Sequence, residues 1–297
     1  MSVYPIILKQ GSFAHRESLL FPFEERGLQF GDGVYEVIRI YQGKYYLLEE
    51  HIDRLYRSLY EIKIELPYSS EKITEMLHDL LRRNNMDTDG KVYLQVTRGS
   101  APREHYFPEK VTPNLFAYVE PVSRNTEMMS SGVHAITMPD IRWDYCHIKS
   151  LNLLPNVMAK QTAKENGCFE AILHKDGIVT ECSASNAYLV KDGKIYTHPG
   201  SNQILFGCVR IAVEKFAKDL NIPFIEEAFT VDAIAEADEM FLTSSTTEIT
   251  PIVKVDDDWI QDGKAGTITR RLQTAYASDA GIEPITEEIP ELATENK

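Results

Sequence analysis

The spacing of apolar residues changes along the first half of this 297-residue chain, and each change predicts a different element. Residues 34–41 alternate between apolar and polar, and residues 45–48 continue after a Gln-Gly-Lys turn, which predicts a β-hairpin. Over residues 48–62 the apolar positions fall on one stripe with the period of an α-helix. A second helix with a serine cap is predicted over residues 69–85.

The second half of the chain combines short apolar runs with glycine turns. Asp-Gly pairs at 176–177 and 192–193 predict two further hairpins, because these residues adopt the backbone angles of tight turns. Helical periodicity recurs in three segments. They cover residues 154–166, residues 208–220 and, after a glycine turn at 263–266, the stretch up to residue 278.

A polar stretch separates the two halves and is the best candidate for a linker. We place an N-terminal domain at residues 1–123, the interdomain linker at residues 124–132 and a C-terminal domain at residues 133–284. The acidic residues 285–297 are expected to form a disordered tail.

Composition narrows the classes of function. The formal net charge of −14 repels phosphate backbones and anionic membrane surfaces, so neither nucleic acid nor a membrane is an expected partner. The cysteines have no C-x-x-C spacing, and we expect neither a metal site nor a disulfide framework. The start of the chain does not read as a targeting signal and no apolar run has the length of a membrane span, so we expect a cytoplasmic protein.

Several charged residues are candidates for chemistry on their sequence context alone. Lys149 lies between apolar residues, and an amine held away from water becomes a nucleophile. Arg54 lies at the edge of the apolar stripe of the first helix, where it can reach a buried anion or pair with Glu50 on the surface. The loop with Arg103 and His105 is unusually cationic for so acidic a chain. It is either a solvated loop or a clamp for a carboxylate.

Two segments of the second half indicate anion binding. The free backbone N–H groups at the start of the helix over residues 208–220 would form a seat for a phosphate. A hydroxyl-rich run at 244–247 follows a predicted strand and forms a second polar cup.

Three stretches of the chain carry a resemblance to a known family. Residues 26–36, 147–154 and 180–186 occur in the order of the motifs of the fold-type IV pyridoxal-phosphate enzymes, and the chain resembles most closely the D-amino acid aminotransferases among them. The resemblance covers residues 1–278. It implies a two-domain fold of the α/β (α+β) class, with a small N-terminal α/β domain and a larger, cofactor-binding C-terminal domain that has a barrel-like sheet. It also implies a homodimer whose subunits complete each other's active sites.

The same resemblance implies the cofactor, pyridoxal 5'-phosphate, and its contacts. Lys149 would hold the cofactor as a Schiff base and then move the proton of the substrate Cα. Glu181 would face the pyridine nitrogen and keep it protonated, so that the ring can accept carbanion charge. Arg54 would bind the phosphate. The remaining contacts are implied for Leu205 at the ring face and for Cys208, Val209, Ser244 and Ser245 at the phosphate.

The resemblance also implies the substrate. Tyr35, Arg103 and His105 match the family's trap for the substrate α-carboxylate, with the loop residues supplied by the neighbouring subunit. Fixing the carboxylate on one side decides whether the Cα hydrogen of a D-amino acid or of an L-amino acid faces Lys149. The resemblance of this trap points to D-amino acids. The implied reaction is a ping-pong transamination in which D-alanine and 2-oxoglutarate give pyruvate and D-glutamate.

Three positions depart from the family's pattern, and several alternatives stay open. Cys182 and Ala184 stand where small Gly and Ser residues are expected, and Val209 stands where a phosphate-binding Thr is expected. Alternatives of the same fold are a branched-chain L-amino acid aminotransferase, an R-selective amine transaminase and an aminodeoxychorismate lyase. The first two lack the Arg-x-His loop. A non-catalytic relative that stores or senses pyridoxal phosphate is disfavoured by Lys149 and the carboxylate trap.

Overall fold

The computed structural model describes residues 4–285, and this range contains both strands and helices. The α-helices are α1 Arg26–Phe30, α2 Leu48–Glu61, α3 Ser70–Arg83, α4 Thr126–Ser131, α5 Leu154–Glu165, α6 Cys208–Asp219 and α7 Thr267–Ala280. The strands are β1 Ile6–Lys9, β2 Ser12–His15, β3 Gly33–Tyr41, β4 Lys44–Tyr45, β5 Gly90–Thr97, β6 Asn114–Pro121, β7 Val133–Pro139, β8 Glu170–Lys175, β9 Ile178–Cys182, β10 Asn186–Lys191, β11 Lys194–Thr197, β12 Phe224–Glu226, β13 Glu239–Ser244, β14 Glu248–Val255 and β15 Asp258–Trp259. Short 3-10 helices cover Arg16–Ser18 and Asp232–Glu236. None of the helices in residues 4–285 has the length and apolar character needed to cross a membrane.

The first six strands form an antiparallel sheet in the order β2-β1-β6-β5-β3-β4. The apolar stripes of α2 and α3 pack on this sheet, because their buried residues share one core with the alternating residues of its central strands. Ile38 and Leu55 have no exposed surface in this core. Helix α3 begins where the Ser69 hydroxyl accepts a hydrogen bond from the backbone N–H of Lys72 (3.3 Å).

The later strands form a second sheet in the order β12-β11-β10-β13-β14-β7-β8-β9, with β15 paired to β14. The pairs β11–β12, β14–β7 and β7–β8 are parallel, and the other pairs are antiparallel. Residues 183–185 join β9, at one end of the sheet, to β10 near the other end. So short a connection requires the sheet to curl into a half-barrel.

The segment that contains Lys149 joins the two sheets. The backbone N–H of Tyr35 donates to the carbonyl of Lys149 (3.0 Å), and the N–H of Leu151 donates to the carbonyl of Gly33 (3.0 Å). A Cβ atom at Gly33 would lie 2.5 Å from the carbonyl oxygen of Val96, so only glycine permits this close approach. The backbone of Lys149 is therefore held against β3.

The mixed α/β fold is confirmed, and the predicted long helices end within two residues of the observed ones. The glycine-rich turn in residues 26–36 contains a short helix, α1, because the Glu25 side chain caps it at the N–H of Leu28 (3.0 Å) and Gly31 ends it with a φ of 66°. The linker at residues 124–132 contains α4, whose Met129 is buried. The domain boundaries remain a prediction, and the tail beyond residue 285 lies outside the described residues.

Candidate active site

A cavity of about 310 Å³ lies between the two sheets. This volume is in the range of sites that bind small molecules. Nine of the residues predicted to bind cofactor or substrate line it. They are Tyr35, Arg54, Lys149, Glu181, Leu205, Cys208, Val209, Ser244 and Ser245.

Lys149 is half-buried in the cavity wall, and hydrogen bonds hold its backbone on both sides. Its N–H donates to the hydroxyl of the buried Ser58 (3.2 Å), and its carbonyl accepts from the N–H of Tyr35 (3.0 Å). The Lys149 Nζ lies 4.3 Å from the centroid of the Tyr35 ring, which is a cation–π contact. Within residues 4–285 the ammonium has neither an ion pair nor a hydrogen bond. The backbone of Lys149 is therefore fixed, while its amine is left without a carboxylate partner among these residues.

Arg54 is buried on α2 and is held by Glu36 of β3. Its Nε donates to Oε1 of Glu36 (2.8 Å) and its Nη2 to Oε2 (2.7 Å), a bidentate pair, while Nη1 donates to the carbonyl of Phe206 (3.1 Å). Burial alone would raise the pKa of Glu36, but the charge and hydrogen bonds of Arg54, together with the hydrogen bond to His51, lower it to about 2. The surface pair of Arg54 with Glu50 is not formed, since Glu36 holds the guanidinium inside.

The start of α6 presents backbone donors to the same cavity. The N–H groups of Cys208 and Val209 lie in the first turn, where a helix has no carbonyl to bind them, and the helix dipole adds partial positive charge there. The preceding Gly207 has no side chain to cap the helix. A Cβ at Gly207 would lie 2.2 Å from Oδ1 of Asn186, so glycine also keeps this corner of the cavity open.

Two hydroxyl groups at the end of β13 line the cavity, since Ser244 is the last residue of the strand and Ser245 follows it. The Ser244 hydroxyl pairs with that of Thr247 (2.7 Å), and Oγ of Ser245 lies 3.2 Å from Nε2 of His51. Together with Arg54 and the first turn of α6, these hydroxyls form a set of donors that suits a phosphate group.

Glu181 is buried at the end of β9, and its carboxylate is held by three donors. Oε1 accepts from Nη1 of Arg142 (2.5 Å) and from the N–H of Leu205 (3.0 Å), while Oε2 accepts from Nδ2 of Asn186 (3.1 Å). Burial raises the pKa of Glu181, and the charge and hydrogen bond of Arg142 offset only part of the rise. Oε2 has a further lone pair, which can accept a hydrogen bond from a protonated nitrogen in the cavity.

Arg142 is in turn held by Asp140. The guanidinium donates to both carboxylate oxygens of Asp140 (2.9 and 2.7 Å), and the Thr180 hydroxyl donates to the same group (2.8 Å). The sequence patterns did not predict a role for five supporting residues, which are Glu36, His51, Asp140, Arg142 and Asn186. Glu36 and Asn186 lie inside the stretches that carry the family resemblance, which was an available signal. Asp140 and Arg142 lie in an aperiodic loop, and no pattern marked them.

Arg103 and His105 do not line the cavity of their own chain. Both lie on the exposed loop between β5 and β6. There the Arg103 guanidinium is 4.8 Å from the ring centroid of Phe30, and the His105 ring is 5.6 Å from it. A single chain therefore brings Tyr35 together with Lys149, but not with the two loop residues.

The three departures from the family's pattern all lie at the cavity. Cys182 and Val209 are buried, and Ala184 is on the connection between β9 and β10. Burial raises the pKa of Cys182 well above its usual range, so its side chain is a neutral thiol. Val209 offers its backbone N–H without the hydroxyl that a threonine would add.

The chain is similar to known aminotransferases over most of its length. The family model for amino-transferase class IV matches residues 33–255. A D-alanine aminotransferase of Staphylococcus aureus (strain N315) is 46% identical over 271 residues, which are 91% of this chain and 96% of that protein. A D-alanine aminotransferase of Bacillus licheniformis is 45% identical over 269 residues, covering 91% of this chain and 95% of that protein.

Solved structures agree with the fold. The branched-chain amino acid aminotransferase of Escherichia coli has a TM-score of 0.87 at 24% identity, and the match covers 93% of this chain and 94% of that one. The branched-chain amino acid aminotransferase of Thermobaculum terrenum, solved in its PLP-form, has a TM-score of 0.86 at 23% identity, covering 95% of this chain and 96% of that one.

Proposed function

This chain belongs to the class IV aminotransferase family, and on that premise we propose that it transaminates D-amino acids with pyridoxal 5'-phosphate as its cofactor. The observation that carries the proposal is the cavity onto which the Lys149 amine, the Glu181 carboxylate and the Arg54 guanidinium all open. The substrate class follows from the D-alanine aminotransferases that the chain resembles across nine-tenths of its length. The reaction moves an amino group between D-alanine and a 2-oxo acid.

The donors of the cavity suit the phosphate of this cofactor. The phosphate would be held by Arg54, by the N–H groups of Cys208 and Val209, and by the hydroxyls of Ser244 and Ser245. The side chain of Leu205 would contact the ring face. When bound, the cofactor supplies an electron-accepting ring that stabilises the electron pair left on the substrate Cα after its proton is removed.

Lys149 has the position and freedom required of a proton carrier. Its amine lines the cavity without an ion pair among the described residues, so no salt bridge has to be broken before it acts. The hydrogen bonds to Ser58 and Tyr35 hold its backbone, while its side chain lines the cavity. Lys149 would hold the cofactor covalently at rest and, once released, take the proton from the substrate Cα.

Glu181 would accept a hydrogen bond from the pyridine nitrogen. The negative charge of the ionised carboxylate would stabilise the protonated form of that nitrogen, although burial raises the pKa of Glu181. Arg142 and Asn186 direct the carboxylate and favour its ionised form. Asp140 holds Arg142 in this orientation.

The substrate α-carboxylate would be bound by Tyr35 of one chain and by Arg103 and His105 of a second copy. The exposed position of the loop, away from the cavity of its own chain, supports this division. A guanidinium that binds the carboxylate with two hydrogen bonds fixes its orientation as well as its position. The Cα hydrogen of a D-amino acid would then face Lys149.

A branched-chain L-amino acid aminotransferase is the second candidate, because solved structures with that name share the fold. Their sequence identities to this chain, 24% and 23%, are well below the 46% and 45% of the D-alanine aminotransferases. The Arg103 and His105 loop also argues against it, since a trap on that side selects the opposite hand of the amino acid.

We expect D-alanine, but not L-leucine, to serve as amino donor. The purified protein, loaded with pyridoxal 5'-phosphate, is mixed with D-alanine, L-alanine or L-leucine while the visible absorbance of the bound cofactor is recorded. D-alanine should remove the visible band and release pyruvate, because only its Cα hydrogen faces Lys149. Conversion with L-leucine alone would establish the branched-chain activity instead, and conversion with none of the three would refute the proposal.

Two inactive variants are expected to restore activity when they share a dimer. In a mixed dimer of Lys149→Ala and Arg103→Ala subunits, one site combines an intact Lys149 with an intact Arg103 from the other chain. Random reassociation should recover about a quarter of the wild-type sites, because half of the dimers are mixed and each has one intact site. The measurement is pyruvate formation after the variants are dissociated and reassociated together.

The control for this experiment is each variant taken alone through the same procedure. If Arg103 served the cavity of its own chain, every site in the mixed dimer would lack one of the two residues. Activity would then stay at the level of the separate variants, and the proposal that two chains share each active site would be refuted.

A further inference from the structure

A histidine outside the cavity is connected to it through one hydroxyl group. His51 of α2 is buried and does not line the cavity. Its Nε2 lies 3.2 Å from Oγ of Ser245, which does line it, and its Nδ1 lies 2.7 Å from Oε2 of Glu36. Hydrogen-bonded groups therefore lead from a buried carboxylate to the place proposed for the cofactor phosphate.

The charges around His51 determine where its protons are. Glu36 is ionised, because Arg54 and His51 hold its pKa at about 2 although burial alone would raise it, so it only accepts and Nδ1 must carry a hydrogen. Burial lowers the pKa of His51. The charge of Glu36 on β3 raises this pKa, whereas the charges of Arg54 on α2 and Lys149 beside β3 lower it further. The net result is a lowered pKa, so the imidazole is neutral near neutral pH. Nε2 is then an acceptor, and the one proton of Ser245 points to it.

One member of the phosphate donor set, Ser245, therefore has its proton engaged by His51 before a phosphate dianion binds. With its proton directed to His51, the Ser245 hydroxyl presents only lone pairs to the cavity. If the hydroxyl turns to donate to the phosphate, the buried Nε2 loses its donor, and an unsatisfied buried acceptor is unfavourable. A proton added to Nε2 removes the conflict, because the imidazolium donates to Glu36 and to Ser245 while Ser245 donates to the phosphate.

We infer that His51 is a positioning residue that takes up a proton when a phosphate group binds beside Ser245, and thereby turns the Ser245 hydroxyl toward the phosphate. The inference deepens the proposed function and rests on it, since it requires the cofactor phosphate in this cavity. The dianion and Glu36 favour the added proton, whereas Arg54 and Lys149 oppose it. Because binding raises the pKa of His51, the contribution of His51 to the affinity for the dianion should be largest below its pKa in the free protein and be lost as the pH rises through its pKa in the complex.

The test counts the protons taken up on binding. Cofactor-free protein is titrated calorimetrically with pyridoxamine 5'-phosphate at about pH 7, in buffers of different ionisation enthalpy. At this pH the phosphate monoester is mostly a dianion, because its second pKa is about 6. The wild type should take up about one proton more than His51→Gln, because glutamine can donate an N–H to Ser245 without titrating. Comparing the two proteins cancels protons exchanged elsewhere in the cavity.

Two serine variants complete the design and do not depend on the folding of His51→Gln. Ser245→Ala removes the link between His51 and the phosphate and should lose the extra proton. Ser244→Ala is the matched control: Ser244 lines the same cavity, but its hydroxyl pairs with Thr247 and not with His51, so the wild-type proton count should remain.

The outcomes separate this inference from the function it rests on. Binding of pyridoxamine 5'-phosphate with equal proton counts in the wild type, His51→Gln and Ser245→Ala would overturn the role of His51 and leave the proposed function intact. A wild type that does not bind pyridoxamine 5'-phosphate at all would overturn both.

Discussion

Replacing Lys149 by alanine is expected to lower the rate of D-alanine transamination by roughly four orders of magnitude or more. The substitution removes both the covalent attachment of the cofactor and the group that takes the Cα proton, and each contributes strongly to the rate. The phosphate contacts are untouched, so the variant should still bind pyridoxamine 5'-phosphate. Pyruvate formation from D-alanine and calorimetric binding are the two measurements.

Lys160→Ala is the matched control, because Lys160 lines the same cavity but its ammonium already forms an ion pair with Glu170 (3.3 Å). We expect this variant to lose less than about tenfold in turnover, in line with a residue that takes no part in proton transfer. Equal losses in both variants would mean that the effect of Lys149 comes from the shape or charge of the cavity. Appreciable turnover by Lys149→Ala would remove Lys149 from its proposed role.

Replacing Glu181 by glutamine should lower kcat/KM by about 10²- to 10³-fold, comparable to the loss of one preorganised electrostatic group in an active site. The amide keeps the size of the carboxylate, and its oxygen can still accept from Arg142 and Leu205. The neutral amide has no negative charge to stabilise the protonated pyridine nitrogen, so the electron pair on Cα is stabilised less. Steady-state kinetics with D-alanine and the absorption spectrum of the bound cofactor give the result.

Glu170→Gln provides the comparison for Glu181. Glu170 is equally buried on the adjacent strand β8, where it accepts hydrogen bonds from Ser183 and Ser185, but it does not line the cavity. Its replacement should leave the cofactor spectrum unchanged and affect the rate by less than about tenfold. If both variants lose activity equally and the cofactor spectrum is unaltered in both, the effect of Glu181 comes only from the stability of the protein.

The elements of the fold were accessible from the sequence because their signals are local. The stripe that defines α2, the Ser69 cap of α3 and the Asp-Gly turns of the later hairpins depend on residues within one or two turns of each other. The helix α1 was missed, because Gly27 and Gly31 in a five-residue segment indicate a turn. Its hydrogen bond from Leu28 to Glu25 carries no periodic signal.

Pairing over long sequence distances was not accessible in the same way. Arg54 had two possible partners in the sequence, Glu50 on its own helix and an unspecified buried anion. The pairing of β3 with β5 places Glu36 in the core under α2, and burial then favours the inner partner because a charge without a partner is most unfavourable there. Glu36 is bound to Arg54 even before a phosphate is considered.

The linear chain already shows which residue types are available for this chemistry: an amine in Lys149, a carboxylate in Glu181 and a guanidinium in Arg54. Local patterns and motif order are properties of the linear chain, and they also identified the family. How these groups are held depends on folding, which brings Arg142 to Glu181 and brings Glu36 and His51 to Arg54. The protonation and the orientation of a side chain depend on its burial and on the neighbours that sheet pairing brings to it. Neither can be predicted from a local stretch of sequence, because burial and pairing join residues that are far apart in the chain.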